Sequence, residues 1–242
     1  MKITVLASGS KGNLTLVETQ KHNILIDAGI TYSNVAKRNN KNLPNIDLII
    51  ITHTHIDHVY GLHSFIKKYN PIVISKCINI TEYSTKAQIT DIYATDNIKV
   101  ELFPLSHDVP CSGVLIKEDD KELVYATDTG YINEKILNKI TNKDIYIIES
   151  NHDEDMLRHS KYPFYLQQRI RSEVGHLSNE TTALYLKKIV GDKTSYVILA
   201  HLSHENNKPE IAYSETNDKL LNKNIQGLYT AKQDEVLETI EV

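Results

Sequence analysis

The sequence has little cysteine and no long apolar stretch, and each shortage excludes a class of protein. Cys77 and Cys111 are its only cysteines. Two cysteines cannot form a disulfide framework, so we expect no disulfide partner and a reducing compartment. The longest apolar runs, at residues 3–7 and 48–51, are far too short to cross a bilayer. The first residues lack the apolar segment of a secretory signal. We therefore predict a cytoplasmic protein with no membrane partner.

An excess of basic residues is also missing. Lys and Arg number 27 against 31 Asp and Glu, a formal net charge of -4, which excludes a uniformly basic coat for nucleic acid. A polyanionic partner must then be bound by a local patch or by metal ions. Hydrophobic residues make up 40% and charged residues 24% of the 242 residues, as in globular proteins. Because linker-like and low-complexity segments are absent, we predict one domain over residues 1–242, with an insertion at about 152–176.

Short apolar runs, each followed by a polar string, predict a series of strands. Several runs are continuous rather than alternating, which is typical of strands covered on both faces. Helix signals lie near Leu62, after Asn133 and after Ser178 or Asn179. We predict mixed α/β layers, one short helix in the insertion, and strand-rich halves before and after about residue 115. The predicted strands are residues 2–7, 14–18, 23–27, 47–52, 71–75, 98–105, 114–118, 123–126, 144–149, 195–200 and 226–230.

The strongest chemical signal is the string THTHIDH at residues 52–58, directly after a strand predicted to be buried. His53 and His55 are two positions apart, so both rings can point to one side of an extended segment. Asp57 and His58 are adjacent, so their side chains must point in different directions, which suits a second metal centre. Imidazole nitrogen and carboxylate oxygen are ligands for Zn²⁺, Mn²⁺ or Fe²⁺, and the lack of thiolate disfavours a closed structural zinc site.

Further ligand-type residues follow later predicted strands. His107, Asp128 and His201 each come shortly after an apolar run. Taken singly, such a residue is more often a cap or a hydrogen-bonded turn residue. Together with the histidine-rich string, they predict that several strand ends deliver ligands to one edge of a sheet.

These residues resemble known motifs. The string HTHIDH at residues 53–58 has the HxHxDH form of the metallo-β-lactamase superfamily, and Asp27 in LIDAG at residues 25–29 resembles its first motif. His107, Asp128 and His201 fall in the order of the later motifs. The resemblance is closest to the YycJ (WalJ) family and covers nearly the whole chain. The strings that carry it are ASGSKGN (7–13), ATDTG (126–130), ESNHD (149–153), GHLSN (175–179) and HLSHENN (201–207).

The resemblance implies a four-layer αββα sandwich with two divalent metal ions, Zn²⁺ or Mn²⁺ with Fe²⁺ also possible, at one edge of its two sheets. Asp27 would orient a ligand histidine from outside the ligand shell. The family is described as metal-dependent exonucleases acting on DNA, so the implied partner is a nucleic acid. The implied ligands are His53, His55 and His107 for one metal, Asp57, His58 and His201 for the other, and Asp128 as a bridge.

Other polar residues are predicted to contact the substrate. Asp57 and His176 are the predicted catalytic residues. His176 precedes a helix start, where free N–H groups favour an anion, so it could contact a phosphate or act as a general acid. His152 could play either part. The glycine-rich turn around residues 8–13 is better suited to line the site than to be a nucleotide-binding loop. The predicted substrate contacts are Ser8, Ser10, Asn13, His152, Arg169 and Arg171.

Three functions remain open at this point. The favoured one is hydrolysis of phosphodiester bonds in DNA, with RNA or a small phosphodiester as variants. A thioester, lactone or β-lactam hydrolase would keep the metals and change the bond, because fold and metals do not fix the substrate. The missing secretory signal argues against β-lactams. A non-catalytic metal sensor is disfavoured because the full ligand set is present.

Overall fold

The computed structural model describes residues 1–39 and 43–242, apart from the side chains of Asn39 and Ile78. It contains two sheets with helices on their outer faces. The strands are β1 (Lys2–Ala7), β2 (Leu14–Glu18), β3 (Asn23–Ile26), β4 (Leu48–Ile51), β5 (Ile72–Ser75), β6 (Ala87–Ile89), β7 (Ile92–Ala94), β8 (Ile98–Leu105), β9 (Cys111–Glu118), β10 (Lys121–Ala126), β11 (Ile145–Glu149), β12 (Tyr196–Ala200), β13 (Gly227–Thr230) and β14 (Ile240–Glu241). The helices are α1 (Tyr32–Asn39), α2 (Ile56–Val59), α3 (Leu62–Tyr69), α4 (Glu134–Lys139), α5 (Glu154–Arg158), α6 (Phe164–Arg171), α7 (Asn179–Ile189) and α8 (Pro209–Leu220), with a 3₁₀ turn at Ile78–Glu82.

In the part of the chain that the structure describes, each sheet has seven strands. The first has the order β14-β1-β2-β3-β4-β5-β6 and the second the order β13-β12-β11-β10-β9-β8-β7. Parallel pairs run from β3 to β6 in the first sheet and from β10 to β13 in the second. Since the carboxyl ends of neighbouring parallel strands open onto one edge, loops from both sheets can meet there.

Alternate residues of each strand serve two different cores. Ile50 of β4 belongs to the cluster between the sheets, whereas Ile49 and Ile51 pack beneath α1 and α3. In the second sheet, Ile147 faces inward and Ile148 packs beneath α4, α7 and α8. Both faces of the central strands are therefore covered, which explains their continuous apolar runs. The prediction of a four-layer αββα sandwich is confirmed.

The predicted strands are all present, and the differences concern short or polar elements. Strands β6, β7 and β14 have two or three residues each and gave no apolar run. Helices α1, α2 and α8 were not predicted. In α8, the buried residues Ala212, Thr216 and Leu220 recur every fourth position within a polar sequence, so the apolar stripe is too thin to recognise.

One prediction about chain organisation was wrong. The insertion contains two helices instead of one, α5 and α6, because Asp153 caps the first and Pro163 begins the second. Strands lie both before and after about residue 115, as expected; the change of sheet occurs between Ile89 and Ile92, and β14 returns to the first sheet. We keep the single domain with its insertion as a proposal, supported by the core cluster that both sheets share.

Candidate metal centre

Three residues of the predicted site occupy strained turns just after strands. Asp27 follows β3, Asp128 follows β10 and His201 follows β12, with φ angles of 60°, 60° and 55°. Residues other than glycine rarely adopt this left-handed conformation, and it costs roughly 1–2 kcal/mol per residue. All three side chains are buried. The turns therefore project polar groups into one place at the edge of the sheets, where the fold offsets the strain.

His53, His55 and His107 converge to form the first ligand group. The Nε2 atom of His107 lies 3.3 Å from the Nδ1 atom of His55. The Nε2 atom of His53 is buried and has no hydrogen-bond partner among the described residues, a costly arrangement unless a ligand occupies the space. Burial, reinforced by the neighbouring His58, lowers the pKa of His53 to about 2. His53 is therefore neutral, as a metal ligand must be.

Asp57, His58 and His201 form a second group beside the first. The Nε2 atoms of His58 and His201 lie 3.4 and 3.8 Å from Oδ2 of Asp57. A tetrahedral ion with bonds of about 2.0–2.1 Å separates its ligand atoms by roughly 3.3 Å. The spacing therefore fits a shared ion. The Nε2 atom of His201 is also buried, and no residue that the structure describes gives it a hydrogen-bond partner.

Asp128 faces both groups. Its Oδ2 atom lies 3.2 Å from Nε2 of His58, and its Oδ1 atom lies 3.4 Å from Nε2 of His201. It also shares a possible ligand set with His53 and His58. Oδ2 is buried and lacks a hydrogen-bond partner within residues 1–39 and 43–242. These orphaned atoms, together with the all-nitrogen-and-oxygen donor set, fit divalent metal ions on both sides of Asp128.

Asp27 and Thr52 fix the ring of His58 from behind. The Nδ1 atom of His58 donates to Asp27 across 2.8 Å, which leaves Nε2 as the electron-pair donor. Asp27 also accepts hydrogen bonds from the backbone N–H and the hydroxyl of Thr52. Although burial alone would lower the pKa of His58, Asp27 and Asp128 raise it well above its usual value. A metal ion at Nε2 must therefore displace a proton.

Glu149 is the residue that sequence reasoning missed. At the end of β11 it is fully buried, and its Oε1 atom accepts from Nδ1 of His176 at 2.7 Å and of His201 at 2.8 Å. Its Oε2 atom accepts from the backbone N–H groups of Thr129 and Leu177. Burial opposes ionisation, yet the two histidines lower the pKa of Glu149 to about 2. The signal in the sequence that could have revealed Glu149 was a carboxylate at the end of an otherwise apolar strand.

A cleft of about 240 Å³ opens beside the ligand groups. His107, His176 and His201 form its inner wall, and residues of α6 form its outer wall. The ring centroid of His176 lies 5.4 Å from that of His107 and 5.3 Å from that of His201. A substrate in the cleft can therefore contact the metal ligands directly.

Comparison with known proteins agrees with this geometry. A family model described as a beta-lactamase superfamily domain matches residues 22–202. Exodeoxyribonuclease WalJ of Streptococcus pneumoniae is 35% identical over 229 residues, covering 88% of this chain and 85% of that protein. The chain belongs to the metallo-β-lactamase superfamily. Exodeoxyribonuclease YycJ of Bacillus anthracis is 34% identical over 227 residues, covering 88% and 86%. The predicted WalJ/YycJ family is thus confirmed.

Solved structures show the same superfamily fold. The metallo-beta-lactamase fold protein YhfI from Bacillus subtilis has a TM-score of 0.70 and 17% sequence identity, with 98% of this chain and 99% of that chain covered. At this identity the likeness concerns the fold alone. It places the superfamily's two sheets and outer helices over nearly the full length of both chains.

The predicted substrate contacts lie in different places in this member of the superfamily. Ser10 and Arg169 line the cleft beside His176. Arg169 also binds Asp108, whose Oδ1 atom lies 3.3 Å from Nε2 of His55. The guanidinium of Arg169 is thus partly engaged by Asp108, which lies next to the predicted metal ligand His55. Substrate contact by these residues stays a prediction.

Four other predicted contacts are not among the described residues that line the cleft. Ser8 is buried and its hydroxyl accepts from the backbone N–H of His201. The amide nitrogen of Asn13 lies 3.2 Å from Asp57 Oδ2, so it reaches the second ligand group from behind. His152 is buried, and Arg171 turns away to an ion pair with Glu154 at 3.0 Å.

Both cysteines are free and buried. The Sγ atom of Cys111 lies 3.7 Å from Nδ1 of His53, a proximity that the sequence did not predict. Burial raises the pKa of Cys111 well above its usual value. Its thiol therefore stays protonated and unsuited to nucleophilic attack.

Proposed function

We propose that this chain is a metal-dependent exodeoxyribonuclease. The observation that carries the proposal is the pair of neighbouring ligand groups with Asp128 beside His53, His58 and His201, and with His107 and His201 lining one cleft. Relatives that are 34–35% identical over most of the chain carry the name exodeoxyribonuclease. A dinuclear centre also explains how a protein of net charge -4 can bind a polyanion.

The donor set suits two ions of Zn²⁺ or Mn²⁺, with Fe²⁺ as a further possibility. His53, His55 and His107 would hold one ion, and Asp57, His58 and His201 the other, with Asp128 between them. When bound, such ions supply Lewis acidity to the phosphodiester and lower the pKa of a nearby water molecule. The identity and number of the ions are part of the proposal.

His176 acts on the substrate side of this centre. Its Nδ1 atom donates to Glu149 Oε1 at 2.7 Å, which fixes the ring and leaves Nε2 for the substrate. Burial lowers the pKa of His176, but Glu149 more than compensates and the net shift is upward. A protonated His176 can donate to a non-bridging phosphate oxygen or protonate the departing oxygen, worth roughly 10²–10⁴ in rate.

End-labelled nucleic acids test the proposal directly. Metal-stripped protein should be inactive, and restoring Mn²⁺ or Zn²⁺ should release mononucleotides from DNA faster than from RNA of the same sequence. Asp128→Ala should remain inactive after metal is restored. Faster hydrolysis of RNA, of a thioester or of a cephalosporin reporter would replace DNA as the substrate. Metal binding without hydrolysis of any of these would favour a sensor.

A second experiment isolates His176. His176→Ala should slow hydrolysis of a natural DNA end much more than that of an ester with a good leaving group, because only the natural oxygen needs a proton. His63→Ala, an exposed histidine on α3, is the matched control and should change neither rate. Loss of bound metal in His176→Ala would instead make His176 a ligand or a structural residue.

Location belongs to the proposal as well. Within residues 1–39 and 43–242, none of the helices combines the length and the apolar character that a bilayer crossing needs. We keep the cytoplasmic location, expected from the sequence, as part of the proposed function.

A further inference from the structure

Asn13, in the glycine-rich turn at residues 8–13, is buried against the second ligand group. Its backbone N–H donates to the carbonyl oxygen of Asp57, and its carbonyl oxygen accepts from the N–H of Gly29, both at 2.8 Å. Its side-chain Oδ1 atom accepts from the backbone N–H of Gly9 at 2.8 Å, and Nδ2 donates to Oδ2 of Asp57 at 3.2 Å. Each polar group of Asn13 therefore has a partner, and the N–H of Gly9 decides which end of the amide faces Asp57.

This hydrogen bond meets the oxygen of Asp57 that faces the other two ligands. Oδ2 lies 3.4 Å from Nε2 of His58 and 3.8 Å from Nε2 of His201. Each oxygen of a carboxylate can accept more than one bond. Asn13 therefore restrains the carboxylate and still leaves Oδ2 able to bind an ion. Nδ2 of Asn13 also lies 3.0 Å from Nε2 of His58, so Asn13 contacts two of the three members of this group.

The same turn contacts the third member as well. The hydroxyl of Ser8 accepts from the backbone N–H of His201 at 2.7 Å, and both residues are buried. The turn therefore contacts Asp57, His58 and His201 together. Because close-packed interiors transmit strain, a shift of the turn should disturb all three ligands at once.

The outer side of the turn is held by Gln233, a residue from far along the chain. Its Oε1 atom accepts from the backbone N–H of Lys11 at 2.8 Å, and its Nε2 atom donates to the backbone oxygen of Gly12 at 3.2 Å. Gly9 permits this approach, since its φ angle is 132° and a Cβ atom there would lie 2.6 Å from Oε1 of Gln233. One amide therefore binds the turn at two backbone atoms.

Gln233 belongs to a segment, residues 231–237, that crosses from the second sheet to the first. The N–H of Ala231 donates to β12, and the N–H of Leu237 donates to β1. Arg38 donates to the backbone oxygen of Gln233 at 2.9 Å. Residues 231–237 are not among the described residues that line the cleft or form the ligand groups. An effect of Gln233 on the metal centre must therefore pass through the turn.

We propose that Gln233 positions the glycine-rich turn and that Asn13 of this turn positions Asp57 for the second metal ion. Neither residue is a ligand, and each acts through its neighbour. The inference rests on the proposed dinuclear centre and makes its second site dependent on a segment outside it. The first site, with His53, His55 and His107, should be independent of both residues.

Metal titration by calorimetry with Zn²⁺ or Mn²⁺ tests the two roles. Asn13→Ala should lower the affinity for one of the two ions about 10- to 100-fold, as expected when a residue that orients a ligand is removed. Gln233→Ala removes hydrogen bonds that are each worth a factor of roughly 2 to 10, and it should lower the same affinity by about that factor. In an Asp57→Ala background, which keeps the first ion, Asn13→Ala should cause no further loss.

Lys232→Ala is the matched control. Lys232 precedes Gln233 in the same segment, is exposed and pairs with Glu235 at 2.9 Å. Its replacement should leave both metal affinities unchanged. Urea unfolding establishes that each variant is folded. If Asn13→Ala does not fold, Gln233→Ala decides at a partly exposed position, and wild-type affinity for both ions in that variant overturns the proposal.

Metal concentration separates positioning from substrate contact. Because Gln233→Ala acts through the second ion, excess Mn²⁺ should restore its turnover of a labelled DNA strand. A raised KM at saturating metal, with normal metal affinity in Asn13→Ala, would make Asn13 a substrate contact and overturn its positioning role. The double variant should bind the second ion no more weakly than Asn13→Ala, since both changes act on one contact. Additive losses would also overturn the proposal.

Three outcomes separate this inference from the proposed nuclease function. If wild type, Asn13→Ala and Gln233→Ala all bind two ions with equal affinities, the positioning roles fail and the nuclease function stands. If the wild-type protein hydrolyses no DNA while both variants bind the second ion more weakly, the nuclease function fails and the positioning roles stand. Fewer than two ions in the wild-type protein would overturn both.

Discussion

Replacing Glu149 by glutamine should damage both stability and metal binding while changing the side chain volume very little. The carboxylate accepts two ring N–H groups at Oε1 and two backbone N–H groups at Oε2. A glutamine amide has one oxygen and one NH₂ group. Whichever way it turns, the NH₂ group of Glu149→Gln meets two donors and leaves them without an acceptor.

The size of the effect follows from the charge on Glu149. Its pKa is lowered to about 2 in the folded, metal-free chain, compared with about 4.3 for an unperturbed glutamate, which corresponds to about 3 kcal/mol. This contribution is complete above about pH 4.3 and is lost as the pH falls through about 2. Glu149→Gln should therefore lower the free energy of unfolding by about 3 kcal/mol at neutral pH. Since Glu149 orients His201, affinity for the second metal should fall about 10- to 100-fold.

Urea unfolding of the metal-free protein measures the first effect, and isothermal titration calorimetry with Zn²⁺ or Mn²⁺ measures the second. Glu118→Gln is the matched control, because Glu118 is a buried carboxylate that accepts from the backbone N–H of Gln20. It should lose stability and keep wild-type metal affinity. Wild-type metal affinity in Glu149→Gln would refute the positioning role of Glu149.

Three further predictions concern the metal centre. Asp128→Ala should weaken both metals, whereas Asp57→Ala should keep the first metal and abolish hydrolysis; elemental analysis giving equal, full occupancy with normal turnover would contradict these roles. Asp27→Asn should weaken the second metal about 10- to 100-fold, because His58 loses its charged partner, and competition with a chromogenic chelator measures this; unaltered affinity would remove Asp27 from the centre. Metal affinity should keep rising above pH 7, since the raised pKa values of His58 and His201 make protons compete with the metal; a calorimetric profile that is flat from pH 6 to about 9 would argue against this competition.

Local sequence determined the strands and the first ligand string. Apolar runs at β3, β4, β11 and β12 are long enough to identify, and strands with both faces covered need no other signal. The HxHxDH string follows β4 within a few positions, so chain connectivity alone places His53 and His55 together. The family resemblance then supplied the distant members of the ligand set, and the family itself is confirmed.

Only the tertiary structure could assign the supporting residues. Glu149 ends a strand like many other acids, and its function appears only when His176 and His201 arrive from separate loops. The same holds for Asp108, which lies between Arg169 and His55. Contacts between residues far apart in sequence leave no local periodicity to read.

The exposed and buried positions also depended on tertiary structure. The residue types of His152 and Arg171 suit substrate contacts. Burial withdraws His152 from the cleft, and an ion pair with Glu154 withdraws Arg171. Phe164 is of a residue type that is usually buried in a core, yet its side chain is 72% exposed. Residue type fixes what a side chain can do, and the packing of the two sheets and their loops decides whether it meets solvent, a metal ion or another side chain.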